Sequence, residues 1–203
     1  MNVVIINYGM GNVKSIKNQL ERMSYSSIIS SNENDIEKAD KIILPGVGHF
    51  DAGMKNILAN NLFEILKYKV VDNKTPILGI CLGMQLFCEK SEEGGVDGLG
   101  WLKGKVKKFR ITDSKFKIPH IGWNNLNIKN NSKLLKDIKK ENHFYFAHSY
   151  YLSGVKEENI LAYTNYSIKF ISSVKKENIY GTQFHPEKSH LSGIKILKNF
   201  LEI

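Results

Sequence analysis

A cysteine stands between two glycines in Gly79-Ile80-Cys81-Leu82-Gly83, after the apolar run Pro76–Ile80 and before Met84-Gln85-Leu86-Phe87. Gly-x-Cys-x-Gly has the spacing of a nucleophile elbow, the sharp strand-to-helix turn, with Cys in place of Ser. On so tight a turn, side chains at 79 and 83 would collide with neighbouring chain. The helix expected after Cys81 would aim its first amides and positive dipole end at the sulfur, favouring thiolate. An unperturbed thiol, with a pKa of about 8.5, is only a few per cent ionised at neutral pH. The same residues also suit a small thiol packed at a strand end, so the elbow alone leaves packing and chemistry both open. Cys88, expected on the same helical stretch at an apolar position, reads as buried core.

A nucleophilic cysteine needs a base. Of six histidines (49, 120, 143, 148, 185 and 190), His185 is set apart by the stretch Gly181-Thr182-Gln183-Phe184-His185-Pro186-Glu187-Lys188-Ser189. Pro186 disfavours helical backbone at His185 and holds it extended at a strand end. In an extended segment His185 and Glu187 point to one side, so the carboxylate can orient the imidazole. Cys81 as nucleophile, His185 as general base and acid, and Glu187 as orienter follow triad logic. Acyl transfer also needs amide donors for an oxyanion. One is the N–H of Leu82, directly after the nucleophile. The other is expected from Pro45-Gly46-Val47-Gly48, a glycine loop between a strand and a helix that lets backbone approach a substrate closely. It lacks the Gly-Lys-Ser/Thr ending of a phosphate-binding loop.

Positioning these groups calls for a sheet. The first half alternates short apolar strands (3–7, 27–30, 41–44, 77–80) with helical periodicity (13–23, 52–59, 62–71, and after Cys81). Apolar strands separated by helices imply a parallel sheet covered on both faces. From about 103 to 184 strand signals dominate: 106–109, 117–121, 143–148, 160–164, 168–174 and 179–184. Their alternation and turn residues suggest antiparallel pairs added to that sheet, and a last helix is expected over 191–200. The reading is one α/β domain over 1–203, in three layers: a mixed, mostly parallel sheet with helices on both faces.

The 203 residues carry 29 Lys and Arg against 20 Asp and Glu, a net charge of +9. The richest basic stretch, Lys103 to Arg110, alternates as a strand with one solvated lysine face does, and no nucleic-acid-binding motif accompanies it. No apolar run reaches the roughly 18 residues of a membrane span, and Met1–Asn7 lacks the features of a signal peptide. Two cysteines make a disulfide framework improbable and point to the reducing cytoplasm. Without CxxC or HExxH a zinc site has little support; no metal and no cofactor are expected.

Together, Pro45-Gly46-Val47-Gly48, Gly79 to Gln85 and Gly181 to Glu187 resemble the class I, triad-type glutamine amidotransferases. Asn7-Tyr8-Gly9-Met10-Gly11-Asn12, Ile118-Pro119-His120-Ile121-Gly122-Trp123-Asn124 and Tyr145-Phe146-Ala147-His148-Ser149-Tyr150 are similar, more closely, to the glutaminase subunits of imidazole glycerol phosphate synthases. The resemblance spans residues 7–189. It implies hydrolysis of L-glutamine through a thioester on Cys81. It further implies a glutamine pocket of Gly48, Gln85, Glu93, His148, Ser149 and Tyr150, with Tyr145 in the same segment. The implied partner is a separate cyclase subunit, a (β/α)₈ barrel that uses the ammonia, docked at Asn12, Trp123 and Lys188. Glu93 shares its stretch with Glu92, so the register there is open by one residue. A paralogous subunit feeding another acceptor, such as an enzyme of surface-sugar modification, carries the same chemistry, and a silent scaffold of the same fold is a further reading.

Overall fold

In the computed structural model, which describes residues 1–203, a run of four- to ten-residue elements begins almost at once. The first half holds β1 (Val3–Ile6), α1 (Val13–Arg22), β2 (Ser27–Ser30), α2 (Glu33–Glu37) and β3 (Lys41–Leu44). It continues with α3 (Phe50–Ala59), α4 (Leu62–Lys67), a wide turn at Tyr68–Asp72, β4 (Ile77–Ile80), α5 (Leu82–Gln85) and β5 (Cys88–Ser91). The second half holds β6 (Leu102–Lys108), β7 (His120–Asn125), β8 (Asn127–Ile128), β9 (His143–His148) and β10 (Tyr150–Ser153). After these come β11 (Ile160–Tyr166), β12 (Ile168–Lys176), β13 (Ile179–Thr182) and α6 (His190–Leu201).

Eleven strands form one sheet; β7 and β9 form a separate antiparallel ribbon. Strands β2-β1-β3-β4-β13 are parallel neighbours, and β12, β10 and β6 continue the sheet antiparallel. Strands β1, β3, β4 and β13 are buried on both faces because both are covered, whereas the edge strand β2 leaves Ile28 exposed. Val4 and Ile6 enter the core beneath α2, α3, α4 and α5, while Val3 and Ile5 enter the core beneath α1, α6 and the β7–β9 ribbon. Burying each such side chain contributes roughly 1.5–3 kcal/mol. This is the mixed α/β domain expected, and no helix is long and apolar enough to cross a membrane.

Three expectations need correction. The helix after Cys81 is a single turn, and Cys88 starts a strand rather than lying on that helix. The carbonyls of Leu86 and Phe87 are taken by the amides of Leu99 and Leu102 at 2.8 and 2.9 Å, so the helix cannot propagate. The strand expected at 117–121 begins instead at His120, past Pro119, which has no N–H to give a ladder. The strand expected to reach Phe184 ends at Thr182. The lysine-rich strand β6 does alternate, with Leu102, Gly104 and Val106 buried and Lys103, Lys105 and Lys108 exposed.

Candidate active site

The carboxyl ends of β3, β4 and β13 lie side by side, the edge at which open parallel sheets place their sites. Cys81 follows β4, His185 follows β13, and the glycine loop 45–48 follows β3. Cys81 is buried at φ 54°, ψ −108°, a strained backbone for a residue with a side chain. Its N–H donates to Thr182 O at 2.7 Å, and its carbonyl accepts from Gln85 N at 3.2 Å. The two flanking glycines are there for space. A Cβ on Gly83 would stand 1.9 Å from the Leu44 carbonyl oxygen, and one on Gly79 would stand 2.5 Å from the Phe87 ring. Because the following helix is one turn long, its dipole adds little at the sulfur. The partner charge comes from His185 instead.

His185 Nδ1 donates to Glu187 Oε1 at 2.8 Å, with both side chains almost wholly buried. The pair meets through a short 3₁₀ turn at Pro186–Lys188, rather than by the strand alternation expected. That turn is clamped: Ser189 Oγ donates to His185 O at 2.6 Å and accepts from Tyr145 N at 3.0 Å, while His185 N donates to Tyr145 O at 2.9 Å. With Nδ1 committed to Glu187, Nε2 is the ring nitrogen left free for chemistry, while the Cys81 sulfur lies 4.0 Å from Ala147 O. Burial alone would lower the imidazole's pKa. A negative Cys81 sulfur and the Glu187 carboxylate outweigh it and push His185 up to about 10. His185 and Glu187 thus form one buried pair, and the charge of Cys81 acts on it.

The glycine loop backs directly onto the elbow. Tyr8 Oη donates to Pro45 O at 2.7 Å, and a Cβ on Gly46 would lie 2.9 Å from Gly83 N. Val47 and Gly48, the latter at φ +106°, then reach a cavity of about 250 Å³ that Cys81 and Leu82 also line. As first residue of α5, Leu82 has an N–H with no intrahelical acceptor.

Gln85, Glu93, His148, Ser149 and Tyr150 line this same cavity. The open register resolves: Glu93 faces the cavity, whereas Glu92 turns outward to Lys108 N at 3.0 Å. Glu93 Oε2 accepts from Phe50 N at 2.9 Å, and Oε1 pairs with His49 Nδ1 at 3.2 Å. Gln85 Nε2 donates to Tyr150 O and to Gln183 Oε1, both at 3.0 Å, which leaves its carbonyl oxygen as the free group. Gln183 Nε2 in turn lies 3.6 Å from Cys81 Sγ. Gln183, His49 and Tyr8 carry no local signal of these contacts, because each partner lies far away in the chain.

Of the three residues expected to dock a partner, Trp123 and Lys188 stand together near His185. Trp123, 47% exposed, lies on the His190 ring (centroids 5.0 Å apart, planes 3° apart), and Lys188 Nζ sits 5.7 Å from the Tyr145 ring centroid. His190 opens α6 at φ +46°. Asn12 is exposed and caps α1, its side chain accepting from Ser15 N at 3.2 Å.

Burial lowers the pKa of His148 to about 3 and of His120 to about 4, and Cys88 is pushed up to about 12. Cys88 is therefore a packed, unreactive thiol. The two histidines are neutral when folded but bind protons below about pH 6.5 when unfolded, so their stabilisation is lost as pH falls from there. The fold is therefore predicted to lose stability between pH 7 and pH 5. Urea unfolding at the two pH values measures it; equal stability at both would contradict it.

The family model described as glutamine amidotransferase class-I matches residues 4–203. Imidazole glycerol phosphate synthase subunit HisH 2 of Methanococcus maripaludis is 50% identical over 200 residues, covering 98% of each chain. Subunit HisH 1 of Campylobacter jejuni is 45% identical over 99% of this chain and all of its own. Among solved structures, a glutamine amidotransferase crystal structure superposes with a TM-score of 0.75 at 17% identity, over 98% of this chain and 97% of that one.

Proposed function

The chain belongs to the class I glutamine amidotransferases, and from that premise we propose that it is the glutaminase subunit of an imidazole glycerol phosphate synthase. What supports the chemistry is the buried His185–Glu187 pair beside Cys81, which lines a cavity with one carboxylate, Glu93.

In this reading the Cys81 sulfur attacks the side-chain carboxamide carbon of L-glutamine, and the carbonyl oxygen becomes an oxyanion facing the amides of Leu82 and of the Val47–Gly48 loop. His185 gives its Nε2 proton to the nitrogen as the C–N bond breaks, releasing ammonia and leaving a thioester. Water then attacks the thioester and gives a proton to His185; the C–S bond breaks, and glutamate leaves with Cys81 and His185 restored. Glu187 keeps Nδ1 protonated throughout, which fixes Nε2 as the transferring atom. Glu93 answers the α-ammonium, Gln85 offers its carbonyl oxygen, and Gly48, His148, Ser149 and Tyr150 shape the remaining wall. Such chemistry needs a reduced thiol and fits the cytoplasm. The residues present call for no cofactor or metal.

The ammonia is passed to a separate cyclase, a (β/α)₈ barrel that forms imidazole glycerol phosphate and AICAR for histidine biosynthesis. Docking falls to Asn12, Trp123 and Lys188, and exposed Val47, Ile121 and Trp123 supply apolar surface near the cavity. A second reading, the same glutaminase serving another acceptor, has one observation behind it: several relatives' names carry copy numbers. Mixing the chain with a histidine-pathway cyclase and its substrate tests both. Glutamine hydrolysis is expected to rise at least tenfold with product formation in step; no stimulation by that cyclase, with stimulation by another acceptor enzyme, would overturn the first reading.

A further inference from the structure

His120 and His148 stand directly opposite on β7 and β9, and His120 Nδ1 lies 3.1 Å from His148 Nε2. Both rings are buried, with His120 stacked between Phe146 and Tyr166 at centroid distances of 4.9 and 3.9 Å. The other nitrogen of His148, Nδ1, is 2.8 Å from Tyr150 O. A carbonyl can only accept, so the proton is on His148 Nδ1, and its Nε2 must be the acceptor of the histidine pair. His120 then has to be the donor, with its own proton on Nδ1. Neither ring is charged at neutral pH, since burial holds both below their ordinary range.

Tyr150 O is also where Gln85 Nε2 donates, and Gln85 continues to Gln183 and the Cys81 sulfur. Hydrogen bonds thus run from His120, outside the cavity, through His148 to the Tyr150 carbonyl, where Gln85 on the cavity wall donates from the other side. We propose that His120 is a positioning residue: its Nδ1–H fixes the His148 tautomer, and through the Tyr150 carbonyl this holds Gln85 with its carbonyl oxygen toward the cavity. Removing the donor leaves a buried acceptor unpaired on His148, and the ring's easiest relief is to turn away from Tyr150.

The tautomers are measurable in the free chain by long-range ¹H–¹⁵N correlation. Both rings are expected as the Nδ1–H form at pH 7; an Nε2–H signal from either overturns the proposal. The effect on substrate rests on the glutaminase reading and is read with 6-diazo-5-oxo-L-norleucine, a diazoketone analogue of glutamine, as the concentration dependence of Cys81 alkylation. In His120→Phe, whose ring fits the same aromatic stack, the half-saturating concentration is expected to rise about tenfold while the limiting rate changes less than threefold. His120→Asn, which keeps a donor on the short side chain, is expected to return half-saturation to within about threefold of the original. Equal half-saturation in a folded His120→Phe chain overturns the proposal, because a residue that only packs would lower thermal stability without this selective loss. Failure of the unmodified chain to alkylate at all defeats the glutaminase reading, and the tautomers then still decide the role of His120.

Discussion

Cys81→Ala is expected to lower glutamine hydrolysis by a factor of about 10⁴ or more while leaving the fold stable. Removal of a covalent nucleophile acts on the whole set at once, because His185 then has no sulfur to serve. Stability should survive, since Ala fits the volume and relieves part of the burden of a charged pair held in the interior. The strained φ of 54° remains unfavourable for Ala but no more so than for Cys. Steady-state ammonia release with the partner present, alongside a thermal melt, separates loss of chemistry from loss of fold. Hydrolysis within tenfold of the original would contradict Cys81 as nucleophile.

The second large effect is on folding. Gly83→Ala would place a methyl carbon 1.9 Å from the Leu44 carbonyl oxygen, backbone against backbone, where no rotamer can relieve it. Either the elbow or β3 must move by more than an ångström, and the expected cost is about 3 kcal/mol or more. Movement at the elbow also carries Cys81 and Leu82 away from His185, so residual activity should fall with stability. Gly100→Ala is the matched control. Gly100 has positive φ but open space around its Cβ, so backbone strain of about 1 kcal/mol is all that is expected. Urea midpoints for the two variants decide between close approach and backbone conformation; equal losses would mean that space at Gly83 is not the constraint.

Local pattern carried much of this architecture. Strands β1 to β4 are short runs built on apolar residues and flanked by helical periodicity, so their existence and near-bounds follow from residues 3–80 alone. Gly79, Gly83 and Pro186 are likewise local signals, because each marks a backbone or steric demand within a few residues. The short α5 and strand β5 were not legible. Leu86 to Cys88 is apolar in either conformation, and the deciding partners, Leu99 and Leu102, lie more than ten residues on. The same holds for β10 and for the His120–His148 pair, which exist only through the register of β9 against β7 and of β10 against β6. Glu93 was reachable to within one residue; only the three-dimensional turn of Ser91–Gly94 separates it from Glu92.

The central claim is that Cys81, and not Cys88, is a nucleophile aimed at a glutamine side chain. Intact-mass and peptide mass spectrometry after incubation with 6-diazo-5-oxo-L-norleucine tests it most directly. The account predicts one adduct per chain, located on Cys81, slowed by excess L-glutamine and absent from Cys81→Ala. An adduct on Cys88, or none on Cys81 at saturating reagent, would contradict it.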